Sequence, residues 1–134
     1  MFLTDVNFLA VIVAAILNGF VGYFWYSPML LGDFWVKAHK FDVAELKATP
    51  MHIAGALLVG FIVAWVLCAT IHSLHVDSAL GGVKVAFFVW LGFVATTQFS
   101  GVIWAKKPLK AYGVDVGFFL VSMCAMGAIF GAWQ

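Results

Sequence analysis

MHIAGALLVGFIVAWVLCATIHSL, residues 51–74, contains no aspartate, glutamate, lysine or arginine. A helix rises about 1.5 Å per residue, so about 20 apolar residues cross the ~30 Å hydrocarbon layer of a bilayer. This stretch is long enough to do so. Working outward from it, residues 6–26, 83–104 and 112–133 have the same character. None of them carries a charge near its middle, and only short polar connections separate most of them. The pattern predicts an all-α polytopic membrane protein, a four-transmembrane-helix bundle forming one domain over residues 1–134.

The composition points the same way. Apolar residues make up 65% of the 134-residue chain and charged residues 10%, outside the usual range of soluble domains. A net charge of +1 argues against nucleic acid as a partner, because phosphate binding draws on many clustered cations. The chain has no arginine; its lysines lack the planar fork that grips a carboxylate or phosphate at two points. Cys68 and Cys124 both fall inside apolar stretches and read as small packing residues. The 6–26 stretch has no lysine or arginine before it and exceeds a signal-peptide apolar core of about 7–15 residues, so it is expected to be a retained helix.

The lysines predict an orientation. Lys37, Lys40 and Lys47 lie in the first connection, and Lys106, Lys107 and Lys110 lie in the third. The opposite side has only Lys84 at its edge. The positive-inside rule places the first and third connections in the cytoplasm and both termini outside. Tyr23, Trp25, Tyr26, Trp104 and Tyr112 mark the cytoplasmic interface, and Trp133 marks the outer one.

The first connection has a pattern of its own. Ser27-Pro28 ends the first span, since proline cannot continue an unbroken helix. Leu30, Leu31, Phe34, Trp35 and Ala38 then recur at near-helical spacing beside Asp33, Lys37 and Lys40. That is the pattern of a short interfacial helix, apolar side down. Asp42 and Glu45 resemble a capping box for one more turn.

Packing surfaces are legible in the glycines. Gly113 and Gly117 are four residues apart, as are Gly127 and Gly131, and Gly117, Cys124 and Gly131 recur every seven. Small residues let helices approach closely where no hydrophobic effect drives them together. This fourth-span seam is expected to hold either a neighbour in the same chain or a second copy. The partners expected are therefore the bilayer and a homodimer mate or another membrane protein.

The candidate polar residues inside the spans are Asn18, Thr96, Thr97, Gln98, Ser100 and Ser122. In lipid each needs a hydrogen-bond partner, since an unsatisfied group costs several kcal/mol. Counting about 1.5 Å per residue puts Asn18 ~19 Å and Gln98 ~22 Å from their outer ends. They are expected at one level, either as glue between the first and third spans or as a polar pocket open toward the cytoplasm. Asp115, the one carboxylate set within a span, reads as a first-turn helix cap paired with Lys106, Lys107 or Lys110, or as a site. His72, His75 and Asp77 match no metal-binding spacing, and no nucleophile–base arrangement emerges. Neither a metal, a cofactor nor an enzymatic activity is expected.

Two groups of residues carry a resemblance. The first is NGFVGYFWYSPMLLGDFW, residues 18–35, with its Trp-Tyr-Ser-Pro step, apolar pair, Gly32 and Trp35. The second is WLGFVATT (90–97), KPLK (107–110), DVGFFLVS (115–122) and MGAI (126–129), in that order. Together they resemble domain-of-unknown-function family seventeen sixty-one, found in bacteria and fungi. Where that family often has an acidic-Gly-Arg step before Pro-Leu, this chain has Ala105-Lys106-Lys107. The resemblance implies a four-helix membrane protein without assigned activity, here with a bacterial inner membrane as its expected location. It also draws attention to Trp25, Tyr26, Ser27 and Pro28 as a demanding helix end or part of a site. The expected role is a non-enzymatic, homo-oligomeric accessory or assembly component. The alternative is a small dimeric transporter or channel for a neutral or hydrophobic molecule, since no midplane carboxylate is available to couple protons.

Overall fold

The computed structural model describes residues 4–26 and 50–133. They form α1 (Phe8–Trp25), α2 (Pro50–Ser73), α3 (Ala79–Trp104) and α4 (Leu109–Ala132). All four helices are long and apolar enough to cross a membrane, the mark of an integral membrane protein. The expected interfacial helix, with Ser27, Pro28 and the lysines of the first connection, lies outside the described residues.

Helix ends follow local chemistry. The Asn7 side chain accepts from the Ala10 N–H at 3.2 Å and starts α1. Ser78 accepts from the Gly81 N–H at 3.0 Å and starts α3. Both satisfy a donor that a helix N-terminus otherwise leaves open. α3 thus begins well before residue 83, and Gly81-Gly82 lies inside a helix rather than in a connection. At the end of α2 the Val76 N–H reaches the Ile71 carbonyl (3.3 Å) and the His75 N–H reaches that of His72 (3.1 Å). This is the Schellman pattern, with His75 supplying the left-handed residue at φ 56°.

α3 is not uniform. Trp90–Ala95 is π-helical, a wider turn in which carbonyls lose their usual i+4 donors. Side chains occupy them: Thr96 Oγ1 donates to the Gly92 carbonyl (2.7 Å) and Thr97 Oγ1 to that of Phe93 (2.5 Å).

α4 is the central helix and touches the other three. The packed core lies toward the end that carries Asn7, Ser78 and Ala132, and is built from Val11, Ala14, Cys68, Ile71, Met126 and Phe130 among others. Its tightest contact is between α3 and α4. A Cβ at Gly82 would run into the Gly127 carbonyl, and one at Gly131 into the Ser78 carbonyl. Only glycine permits this backbone-on-backbone approach. Toward the other end, here called the lysine end, the helices separate: residues 51–59 of α2 are all exposed, and no residue of Thr96–Trp104 is buried.

Candidate functional site

Two clefts flank α2, one against α1 toward the lysine end and one against α3 nearer mid-length. The polar side chains of the bundle gather around the first, between α1 and α2. Asn18 on α1 is bonded to α4: Ser122 Oγ donates to Asn18 Oδ1 at 2.5 Å, and Ser122 is fully buried. The amide NH2 of Asn18 lies against Gly60 of α2, where any Cβ would collide with it. Three helices therefore meet at one amide. Gly60 is the space that lets the third one in.

About two turns nearer the lysine end stands a second group. Trp25 Nε1 donates to the Val114 carbonyl at 2.9 Å, and its ring covers Gly117. Tyr26 donates its hydroxyl to Asp115 Oδ1 at 2.6 Å and sets its ring edge-on to Phe118, with centroids 5.7 Å apart. Lys107 forms an ion pair with Asp115 Oδ2. Both oxygens of the carboxylate are thus engaged, by a phenol from α1 and an ammonium from the α3–α4 turn. That turn depends on Lys106, which takes φ 58° and swings the chain so that Lys107 faces α4.

A third group ties α3 to α4. Trp90 Nε1 donates to the Val116 carbonyl (2.8 Å), and Tyr112 donates its hydroxyl to the Ala95 carbonyl at the end of the π-helical stretch (2.7 Å).

The structure places the expected site residues as follows. Asn18 does not meet Gln98. α4 lies between α1 and α3, so the amide finds Ser122, and Gln98 lines the separate cleft between α2 and α3. Thr97 is spent on its own helix. Asp115 is not in the first turn of α4, because that helix begins at Leu109. A dipole effect confined to the terminal turn gives no account of it; Tyr26 and Lys107 do. The glycine seam does not face one neighbour. Gly127 and Gly131 pack on α3, Gly117 on Trp25, Gly113 has nothing within 4 Å, and Cys124 is half-buried. His72 lies 3.9 Å from Cys68, and among the described residues no three His, Cys, Asp or Glu side chains gather to hold a metal.

Several of these roles escaped sequence reasoning. In sequence Tyr112 reads as an interfacial anchor and Trp90 as part of a motif, while Trp25 and Tyr26 stand out as an anchored helix end without named partners. Each donates a hydrogen bond to a specific acceptor on a neighbouring helix. Gly82 was hidden in what read as a connection. A Gly-Gly pair three residues after a serine cap was the available signal.

The α1–α2 cleft holds about 670 Å³. Asn18 stands at its inner end, Tyr26 and His52 at its lysine end, and Gly19, Gly22 and Gly55 along its walls. The α2–α3 cleft is smaller, about 320 Å³, and is lined by valines, Thr70, Thr97 and Gln98 over a floor of Phe119 and Met123. Phe119 reaches both clefts.

The model of the family described as "Protein of unknown function (DUF1761)" matches residues 9–131, and the chain belongs to that family. No curated protein and no solved structure matches it.

Proposed function

We propose that this member of a family without assigned activity is an integral membrane protein that works without catalysis, as a homo-oligomeric accessory or assembly component. Its first and third connections face the cytoplasm and both termini face outside. One observation carries the non-catalytic reading: the carboxylate of Asp115 and the hydroxyls of Ser122, Thr96 and Thr97 are all engaged in structural hydrogen bonds. Ser122 is bonded to Asn18, both Asp115 oxygens are taken by Tyr26 and Lys107, and the threonine hydroxyls close carbonyls of their own helix. A nucleophile or general base needs a group within reach of the reacting atoms. These groups are turned toward structure instead.

A second reading, passage of a neutral or hydrophobic molecule, is favoured by the two clefts and by the amide that each presents. Flux through reconstituted liposomes discriminates between the two. Non-saturable leakage that is equal in the native protein and in Asn18→Leu and Gln98→Leu variants supports the accessory role. Saturable transport abolished by either variant overturns it.

A further inference from the structure

We propose that the α1–α2 cleft is a binding site for a neutral, single-chain amphiphile of the bilayer that carries an oxygen acceptor, such as a fatty alcohol or a monoacylglycerol. The inference rests on the membrane reading above. Four features of the cleft select this class of ligand.

The first is size and shape. At about 670 Å³ the cleft falls within the roughly 300–1,000 Å³ of small-molecule sites. Its length along α1, from Asn18 to Tyr26, spans about 12 Å at ~1.5 Å per residue, most of one leaflet's hydrocarbon depth. The second is the wall. Leu57, Val59, Phe118 and Phe119 are apolar, and the glycines opposite them leave room for a chain. A Cβ built at Gly55 meets nothing within 4 Å.

The third feature is the amide at the inner end. Asn18 Oδ1 is taken by Ser122, but its NH2 has no acceptor among the described residues and borders the cleft beside Gly60. In a membrane-spanning bundle an unsatisfied donor in hydrocarbon costs several kcal/mol. A ligand oxygen supplies the acceptor. The fourth is charge. No lysine and no carboxylate lines the cleft among the described residues, because Lys107 is paired with Asp115 outside it. Among the described residues a phosphate or carboxylate headgroup would find no counter-charge there, whereas a hydroxyl or ester would find the Tyr23 side chain at the lysine end.

The full-length protein, reconstituted in phosphatidylcholine vesicles, is labelled with a diazirine-bearing hexadecanol and the adducts are mapped by mass spectrometry. Vesicle flotation scores membrane insertion separately, so failure of the membrane reading is told apart from failure of the site. The expected result is labelling concentrated on peptides containing residues 18–26 and 52–59. It is suppressed about tenfold by unlabelled hexadecanol or monoacylglycerol, and much less by phosphatidic acid. Gly55→Phe fills the cleft from a position with open space and should remove that labelling while adducts near lipid-facing Phe88 persist. Should that variant lose its native melting transition, Gly55→Val carries the same comparison. Adducts spread evenly over lipid-facing residues, labelling indifferent to the Gly55 variants, or equal competition by phosphatidic acid would each overturn the proposal.

Discussion

Tyr26 and Lys107 divide the Asp115 carboxylate between them, and that division explains why a charged residue is tolerated one to two turns inside an apolar helix. A hydrogen bond to a charged group contributes about 1.5–3 kcal/mol. Tyr26→Phe, which keeps the ring against Phe118 and removes only the donor, should lower unfolding free energy in detergent by that amount. Asp115→Asn should do the same. The double variant should lose less than the two together, since the groups share one interaction; strictly additive losses would show that they act apart. Lys106 gives a second residue-scale case. Its φ of 58° costs a side-chain-bearing residue roughly 1–2 kcal/mol, and it occupies the place where the family resemblance has glycine. Lys106→Gly should therefore raise the melting temperature; an unchanged value would mean that other contacts offset the strain. The sequence made Asp115 and the neighbouring lysines visible as candidate partners. It marked Tyr26 as part of a notable helix end but could not name its partner, because that contact joins residues 89 positions apart.

The closest meeting of elements is the crossing of α3 and α4, where Gly82, Gly127 and Gly131 bring backbone against backbone. Without a hydrophobic force between helices in lipid, such contact and the dispersion it provides are what hold the pair. Gly82→Ala puts a methyl group into the Gly127 carbonyl, and overpacking of this kind costs typically 1–3 kcal/mol or more. Folded yield should fall sharply, whereas Gly113→Ala, with nothing within 4 Å, should be neutral by the same size-exclusion measurement. Equal behaviour of the two variants would remove the seam as a cause. The π-helical stretch at Trp90–Ala95 was not legible in the sequence. Gly92, Thr96 and Thr97 are compatible with it, but the same residues occur in ordinary membrane helices. The wider turn also depends on Tyr112, from another helix, closing the Ala95 carbonyl.

For the whole molecule, the internal use of Gly127 and Gly131 relocates any contact between copies. Gly127→Leu should destroy the fold without producing a stable monomer. Cysteine pairs introduced along the exposed lysine-end half of α3, near Gly92 and Gly101, should cross-link two chains if the protein self-associates. Efficient cross-linking along Gly113 instead would place the interface on α4. Apolar length without charge, 3.6-residue helical geometry and the thickness of a bilayer are local or bulk quantities. The sequence by itself was therefore sufficient to determine four helices able to span a membrane, the family and the residues worth watching. Which of those residues meet was decided only in three dimensions. With α4 at the centre, Asn18 was given to Ser122 and Gly60 rather than to Gln98, and α2 was left with a cleft on each side. The reason is physical: helix–helix register in lipid is set by close contact and buried hydrogen bonds between distant positions, and a hydropathy pattern carries no term for either.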